Sequence, residues 1–236
     1  MQDNKKLLII IPCYNEQDSI NDLLKEISSI DINHDILVID DGSLDDTFSI
    51  ASKQSRVIKL IQNLGIGGAV QTGFKYAHYN KYEFCIQIDG DGQHDPKEIK
   101  RLFTYQARTA SSITVGSRYI ENDSFQSTFA RRSGSKLISF FLKLLFKGTN
   151  ITDPTSGMRL MDTKAIKFFK DNYPYDFPEP ISLAWALKEN MTVSETSVKM
   201  REREYGKSSI TGLKSLIYMI RVIGYIVLAR FIKIKR

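Results

Sequence analysis

Cysteine is almost absent from this 236-residue chain: Cys13 and Cys85 are the only two, and each sits in an apolar run. Two such thiols build no disulfide framework and read as buried groups in a reducing compartment. Histidine is as scarce. His34 and His78 lie apart from other ligand types and read as surface positions, and only His94 falls inside a polar motif. A long apolar run is missing too. Leu216–Ala229 is apolar for fourteen residues apart from Arg221, short of the roughly twenty that span a bilayer. The N-terminal residues Met1–Lys6 lead straight into a short apolar run and lack the core and cleavage site of a signal peptide, so a cytoplasmic location is expected. There are no internal repeats and no low-complexity linkers. With 42% hydrophobic and 25% charged residues, the length suits one α/β domain better than two.

Acidic residues are missing where the chain is basic. Residues 125–150 carry five Lys/Arg and no acid, residues 199–236 carry ten Lys/Arg against Glu202 and Glu204, and the remainder is net −7 within an overall +6. Both basic stretches are rich in aliphatic and aromatic residues, which points to an anionic surface such as phospholipid headgroups. Nucleic acid is disfavoured as a partner because the stretches are too apolar for plain phosphate-binding faces. In the tail, Leu213, Leu216, Ile217, Ile220, Ile223 and Val227 share one helical face. That face can lie at a membrane interface, meet a partner, or pack on the protein's own core.

Short aliphatic runs alternate with amphipathic patterns through the first half. Strands are expected at 7–11, 36–39, 57–61, 84–88 and 113–116, with helices at 18–29, 46–55, 67–79 and 96–107. That alternation marks βαβ units and a mainly parallel sheet flanked by helices. Beyond Arg118 the pattern predicts helices over 125–146, 163–169 and 182–189, a strand over 192–198 and a helical tail. Ligands gather at the carboxyl ends of parallel strands. Every polar motif of the first half falls at such an end: Pro12–Glu16, Asp40–Ser43, Asn63–Gly68 and Asp89–Asp95.

The last of these, Asp89-Gly90-Asp91-Gly92-Gln93-His94-Asp95, follows an apolar strand directly. In an extended chain alternate side chains point the same way, so Asp89 and Asp91 can converge on one hard cation, Mg²⁺ or Mn²⁺, while Gly90 and Gly92 admit a ligand to the backbone. An acidic turn is the plainer alternative. Gly65-Ile66-Gly67-Gly68-Ala69-Val70 is not a dinucleotide fingerprint, because Val70 replaces its third glycine and the motif lies in the third strand–helix unit. It reads as a tight turn opening a helix toward a nucleotide.

Together, Pro12-Cys13-Tyr14-Asn15-Glu16, Asp40-Asp41-Gly42-Ser43, Asn63–Ala69 and the acidic motif resemble the inverting family-2 glycosyltransferases of GT-A fold, in order and in spacing. Gly116–Tyr119, Asp153–Arg159 and Arg203–Ser208 resemble later motifs of the branch that includes dolichol-phosphate mannose synthase and bacterial polyprenyl-phosphate glycosyltransferases. The resemblance implies a GT-A, Rossmann-like domain over 1–210 and a basic amphipathic helix over 211–236. It implies a metal-dependent inverting transfer from a UDP- or GDP-sugar to a polyprenyl (undecaprenyl or dolichyl) phosphate by an enzyme peripheral on the cytoplasmic membrane face. A saccharide or glycolipid hydroxyl acceptor in cell-surface polysaccharide synthesis is the alternative. A homo-oligomer or a membrane partner subunit is left open.

By that resemblance Asp89, Asp91 and Gln93 hold Mg²⁺ or Mn²⁺, with His94 orienting them. Pro12, Tyr14, Glu16, Asp40, Asp41, Asn63, Gly68, Asp89 and Ser208 bind the nucleotide sugar, and Arg203 and Ser208 close over the diphosphate. Arg118 and Arg131, with Arg132 in reserve, receive the acceptor phosphate, making Asp91, Arg118, Arg131 and Arg203 the catalytic set. A lipid phosphate attacks without a base, whereas a hydroxyl requires one. For a hydroxyl the candidate bases are Glu179 and Asp153. The sugar-acceptor pattern itself, a paired Glu-Asp or Gln-x-x-Arg-Trp near Trp185, is absent.

Overall fold

The computed structural model describes residues 7–121, 129–146, 149–201 and 213–232, with the backbone alone at 129–131 and 213–216. Seven strands form one sheet: β1 (Leu7–Cys13), β2 (His34–Asp40), β3 (Arg56–Lys59), β4 (Phe84–Gln87), β5 (Ile113–Ser117), β6 (Arg159–Asp162) and β7 (Val193–Ser197). Their spatial order is β3-β2-β1-β4-β6-β5-β7. All pairings are parallel except those of β6, which runs antiparallel between β4 and β5.

The helices are α1 (Ile20–Ser28), α2 (Thr47–Ala51), α3 (Gly65–Tyr79), α4 (Glu98–Thr109), α5 (Phe129–Leu145), α6 (Thr163–Phe169), α7 (Pro178–Lys188) and α8 (Leu213–Phe231). All of β1 is buried, and its period of two divides it between two cores. Leu8 and Ile10 face the core shared with α3, α5, α6, α7 and α8, whereas Leu7, Ile9 and Ile11 face the one shared with α1, α2 and α4. The result is a three-layer sandwich, the GT-A-like architecture expected.

Four expectations need correction. First, β6 was not foreseen: a four-residue strand opening on an arginine reads as a polar motif, yet it is buried through Arg159–Met161 and pairs on both edges. Secondly, α7 begins at Pro178, ahead of the expected Ser182, because proline in a first turn has no N–H to leave unpaired. Thirdly, α2 stops at Ala51, with Ser52 and Ser55 hydroxyls bonding back to Phe48 and Ala51 carbonyls at 2.7 and 3.1 Å. Fourthly, the face of α8 that packs inward is Val222, Ile226 and Ala229, whereas Ile217 and Ile220 of the expected stripe are exposed.

The first core centres on an aromatic group in which Phe169 packs edge-on to Tyr173 at 5.3 Å and tilted to Phe74 at 5.9 Å. Phe169 is fully buried. Phe169→Ala is expected to cost about 3–5 kcal/mol of unfolding free energy through lost burial and a cavity, measured by urea denaturation.

Candidate active site

Because β1, β2, β4 and β5 are parallel, their carboxyl ends share one edge of the sheet. Antiparallel β6 brings its first residue there: Arg159 lies opposite Gln87 of β4 and Val115 of β5. The loop 152–159 therefore stands beside the acidic turn, although about 65 residues separate them in sequence.

Two arginines hold that loop, Arg159 fully buried and Arg118 partly so. The Arg118 guanidinium grips the fully buried Asp153 carboxylate through Nε at 2.6 Å and Nη2 at 2.7 Å, and reaches Thr155 Oγ1 at 2.8 Å. Arg159 has no carboxylate contact of this kind among the described residues. It donates to the carbonyls of Ser156, Pro154 and Glu179 at 2.8, 2.8 and 2.6 Å and to Ser182 Oγ at 2.9 Å. Its charge is thus solvated by protein dipoles, and burial lowers its pKa from the ordinary arginine value. From β7, Glu195 accepts from the N–H groups of Thr152 and Asp153 at 2.8 and 2.7 Å. Neither Glu195 nor this role of Arg159 was foreseen, although an arginine inside the apolar run Met158–Met161 was a visible signal.

Asp153 therefore is not available as a base, contrary to the sequence expectation. Glu179 differs. Its backbone carbonyl is held by Arg159, its side chain is half-buried at the first turn of α7, and burial raises its pKa, with Arg159 opposing and Asp89 adding to the shift. Arg118 acts with Arg159 against that rise.

In the acidic motif β4 ends at Gln87, so Asp89 and Asp91 lie in a turn and strand alternation does not set their direction. His94 sets part of it instead: buried, it accepts from the Asp89 N–H at Nδ1, 2.9 Å, and brings Nε2 to 3.8 Å from Asp89 Oδ2. Asp91 Oδ1 accepts from the Gln93 N–H at 3.1 Å. The Asp89 side chain keeps 39% of its surface exposed, and Gly157 faces it, since a Cβ there would lie 3.0 Å from Asp89 Oδ2. Gly90 serves packing rather than ligand approach, because a Cβ would come within 2.5 Å of Cys13 Sγ. No group of three or more His, Cys, Asp or Glu assembles among the described residues. Two carboxylates beside an amide suit a Mg²⁺-type ion that takes its other ligands from phosphate and water.

Asp40 is fully buried at the end of β2. Its Oδ1 accepts from the Ser43 N–H at 2.9 Å, while Oδ2 has no hydrogen-bond partner among the described residues and only the Lys59 ammonium at 3.8 Å. Asp41 is engaged: it accepts from the Leu64 N–H at 2.8 Å and builds the turn into α3, and burial raises its pKa. Asn63 accepts from the Gly65 N–H at 2.9 Å, and Gly68 lies under Leu64. Pro12 is buried in β1, Tyr14 is 43% exposed beside it, and the Glu16 N–H donates to Thr47 Oγ1 at 2.8 Å. Cys13 and Cys85 are buried free thiols, as expected. Arg203, Ser208 and the side chain of Arg131 lie outside the described residues. Arg132 stands over the Tyr119 ring at 5.8 Å, as Arg118 does at 5.4 Å.

The profile of the family described as Glycosyl transferase family 2 matches residues 8–169, which span all four polar motifs of the sheet edge. The chain belongs to glycosyl transferase family 2. Among full-length relatives, a UDP-N-acetylglucosamine–dolichyl-phosphate N-acetylglucosaminyltransferase of Methanococcus voltae is 27% identical, with 98% of this chain and 97% of that protein covered. A polyprenol monophosphomannose synthase of Mycolicibacterium smegmatis is 28% identical over 90% of this chain and 83% of its own length. Among solved structures, glucosyl-3-phosphoglycerate synthase of Mycobacterium tuberculosis, in complex with Mn²⁺, UDP and phosphoglyceric acid, superposes with a TM-score of 0.71 at 15% identity. That match covers 98% of this chain and 81% of that one, and at such identity it shows the fold alone. As a family 2 glycosyltransferase the protein is a nucleotide-sugar-dependent enzyme.

Two outcomes test this geometry. Asp153→Ala strands the Arg118 charge in a buried position and is expected to cost about 3–5 kcal/mol of stability, read by denaturant titration. For Glu179 the folded pKa lies above the unfolded one, so its ionisation weakens the fold as pH rises through the folded value. Glu179→Gln is therefore expected to melt higher than the wild type at pH 8, with the difference vanishing near pH 4, where both forms are neutral at this position.

Proposed function

We propose that the protein transfers a sugar from a nucleotide-sugar donor to the phosphate of a polyprenyl lipid at the cytoplasmic face of a membrane. The observation that carries this reading is the Arg118–Asp153 pair. It withdraws Asp153 from base duty beside Arg118 and so favours a phosphate, which is ionised already, as the acceptor that needs no proton removed. The names of the relatives, dolichyl-phosphate and polyprenol transferases, support it.

Asp89 and Asp91, with Gln93, would hold Mg²⁺ or Mn²⁺, which when bound supplies Lewis-acid neutralisation of the departing nucleoside diphosphate. Asp40 Oδ2, a buried acceptor without a hydrogen-bond partner among the described residues, takes an N–H of the base. Tyr14 offers its ring to the base or ribose, and Glu16 accepts from the ribose hydroxyls. The turn Asn63–Gly68 opens α3 toward the diphosphate, where the helix N-terminus favours negative charge. Arg203 and Ser208 add charge-assisted hydrogen bonds to the same group.

At the acceptor side, Arg118 keeps its position through Asp153, and Arg132, half-exposed and without a carboxylate partner among the described residues, supplies charge for the incoming phosphate together with Arg131. Exposed Leu137, Phe140 and Leu144 with Lys136 and Lys143 on α5 form a face suited to anionic lipid. On α8, exposed Ile220, Leu228 and Phe231 with Arg221 and Arg230 repeat the pattern. No helix among the described residues is long and apolar enough to cross a membrane.

A hydroxyl acceptor remains the second reading because of Glu179, whose burial raises its pKa and so makes its carboxylate a stronger base. Asp91→Ala is expected to lower transfer at least about a hundredfold with the circular dichroism unchanged, and a fully active variant would refute the metal role. Product analysis with labelled nucleotide sugars and either undecaprenyl phosphate or oligosaccharides separates the acceptors. A phosphodiester-linked lipid product that persists in Glu179→Gln supports the first reading, and a saccharide product lost in that variant supports the second.

A further inference from the structure

A second concavity is lined by none of the residues assigned to the site so far. It has a volume of about 480 Å³ and opens between α7, α8 and the loop 171–176, within the range of roughly 300–1,000 Å³ typical of small-ligand sites. Ile181 and Trp185, four residues apart, present one face of α7 to it, and Tyr225, Leu228, Ala229 and Ile232 present one face of α8. Tyr173, Pro174 and Tyr175 close the third side. That wall is fixed from behind, because the loop presses on the turn into α3 so closely that a Cβ on Gly67 would lie 2.3 Å from the Pro174 carbonyl oxygen.

Charge and direction narrow the occupant. Among the described residues the lining contains Asp171 and Asp176 and no lysine or arginine, so phosphate and nucleotide are disfavoured and a neutral apolar group is admitted. The two helices run side by side in the same sense. Phe177, just before α7, packs on Tyr218 at 4.7 Å, and Lys188 at the other end donates to the Ala229 carbonyl at 2.7 Å. The end near Phe177 is the active-site end, since the Glu179 carbonyl there accepts from Arg159, the β6 residue paired with Gln87 at the strand-end edge. From that end the cleft follows α8 from Tyr225 to Ile232, about 10 Å at 1.5 Å per residue. Its outer lip, Leu228 and Ile232, continues into exposed Phe231, 77% accessible.

We propose that this cleft between α7 and α8 binds the proximal hydrocarbon of the acceptor lipid, an isoprenoid chain leading away from a phosphate held at Arg118 and Arg132. The inference rests on the polyprenyl-phosphate reading above, and it adds a determinant of chain recognition separate from the phosphate site. The apolar lip gives the chain a path between the cleft and the lipid surface that α8 faces.

The protein carries its own reporter, because Trp185 in the cleft wall is the only tryptophan of the chain. The full chain would be titrated, below micelle-forming concentrations, with farnesyl phosphate, farnesol and butyl phosphate while Trp185 emission is recorded. Saturable changes with farnesyl phosphate and with farnesol, and none with butyl phosphate, are expected. Ala229→Phe, which fills the cleft, should abolish both responses and raise KM for farnesyl phosphate at least tenfold more than KM for butyl phosphate. Leu228→Gln, at the half-exposed lip, should act in the same direction should the first variant misfold. Absence of any chain-dependent emission change, or equal KM shifts for the long and short acceptors, overturns the assignment. So does a response that tracks dimerisation in sedimentation, which would make a second copy the occupant. Farnesol binding is read without turnover, so failure of the phosphate-acceptor reading would show as binding without transfer and remain distinguishable.

Discussion

The functional edge of the sheet depends on two guanidinium groups beneath it, Arg159 fully buried and Arg118 partly so. Arg159 cannot reach water, so its five donors must find protein oxygen, and the carbonyls of Ser156, Pro154 and Glu179 bend around it to supply that. In doing so they fix the loop after Asp153 and the first turn of α7 relative to each other. Arg118 does the same for Asp153 and Thr155, and Glu195 ties the preceding N–H groups to β7. A half-satisfied version of this network would cost more than an apolar core, so its members hold one another in a single arrangement.

That arrangement sorts the carboxylates by task. Asp153 is paired with Arg118, Asp41 builds a turn, and Glu195 serves backbone amides, whereas Asp40 Oδ2 and the part-exposed Asp89 keep acceptor capacity. Residues of one chemical type thus diverge because their surroundings differ. His94 contributes by joining the acidic turn to the strand end beyond β7: it bridges to Met200, the Arg201 N–H donates to the Gln93 carbonyl at 2.9 Å, and the Arg201 side chain pairs with Glu26 and Asp95. The turn that carries Asp89 and Asp91 is therefore braced from β7 and α1 as well as from β4.

The outer helices follow a different constraint. α8 is apolar around most of its circumference, and only one face is covered by α5 and α7. A helix of that kind satisfies a core and still presents hydrocarbon outward, which is unfavourable in water and favourable at a lipid surface. The basic residues that punctuate α5 and α8 accord with the membrane-surface role proposed above.

From the chain alone, the alternation of strands and helices in the first half, the position of each polar motif at a strand end, and the family were legible. Those features are local: periodicity, turn residues and motif spacing are written within a few dozen consecutive residues. The short strand Arg159–Asp162 was not legible, since its pairing to Phe84–Gln87 and Ile113–Val115 comes from distant partners and its arginine disguises it. Nor was the standing of Asp153 against Glu179, because which carboxylate keeps its charge open depends on what the fold packs beside it. The sequence by itself determined a parallel sheet with acids and glycines gathered at one edge. Tertiary structure decided which acids are paired, which way α8 turns and where a cleft remains, because burial and ion pairing are properties of neighbours that only folding supplies.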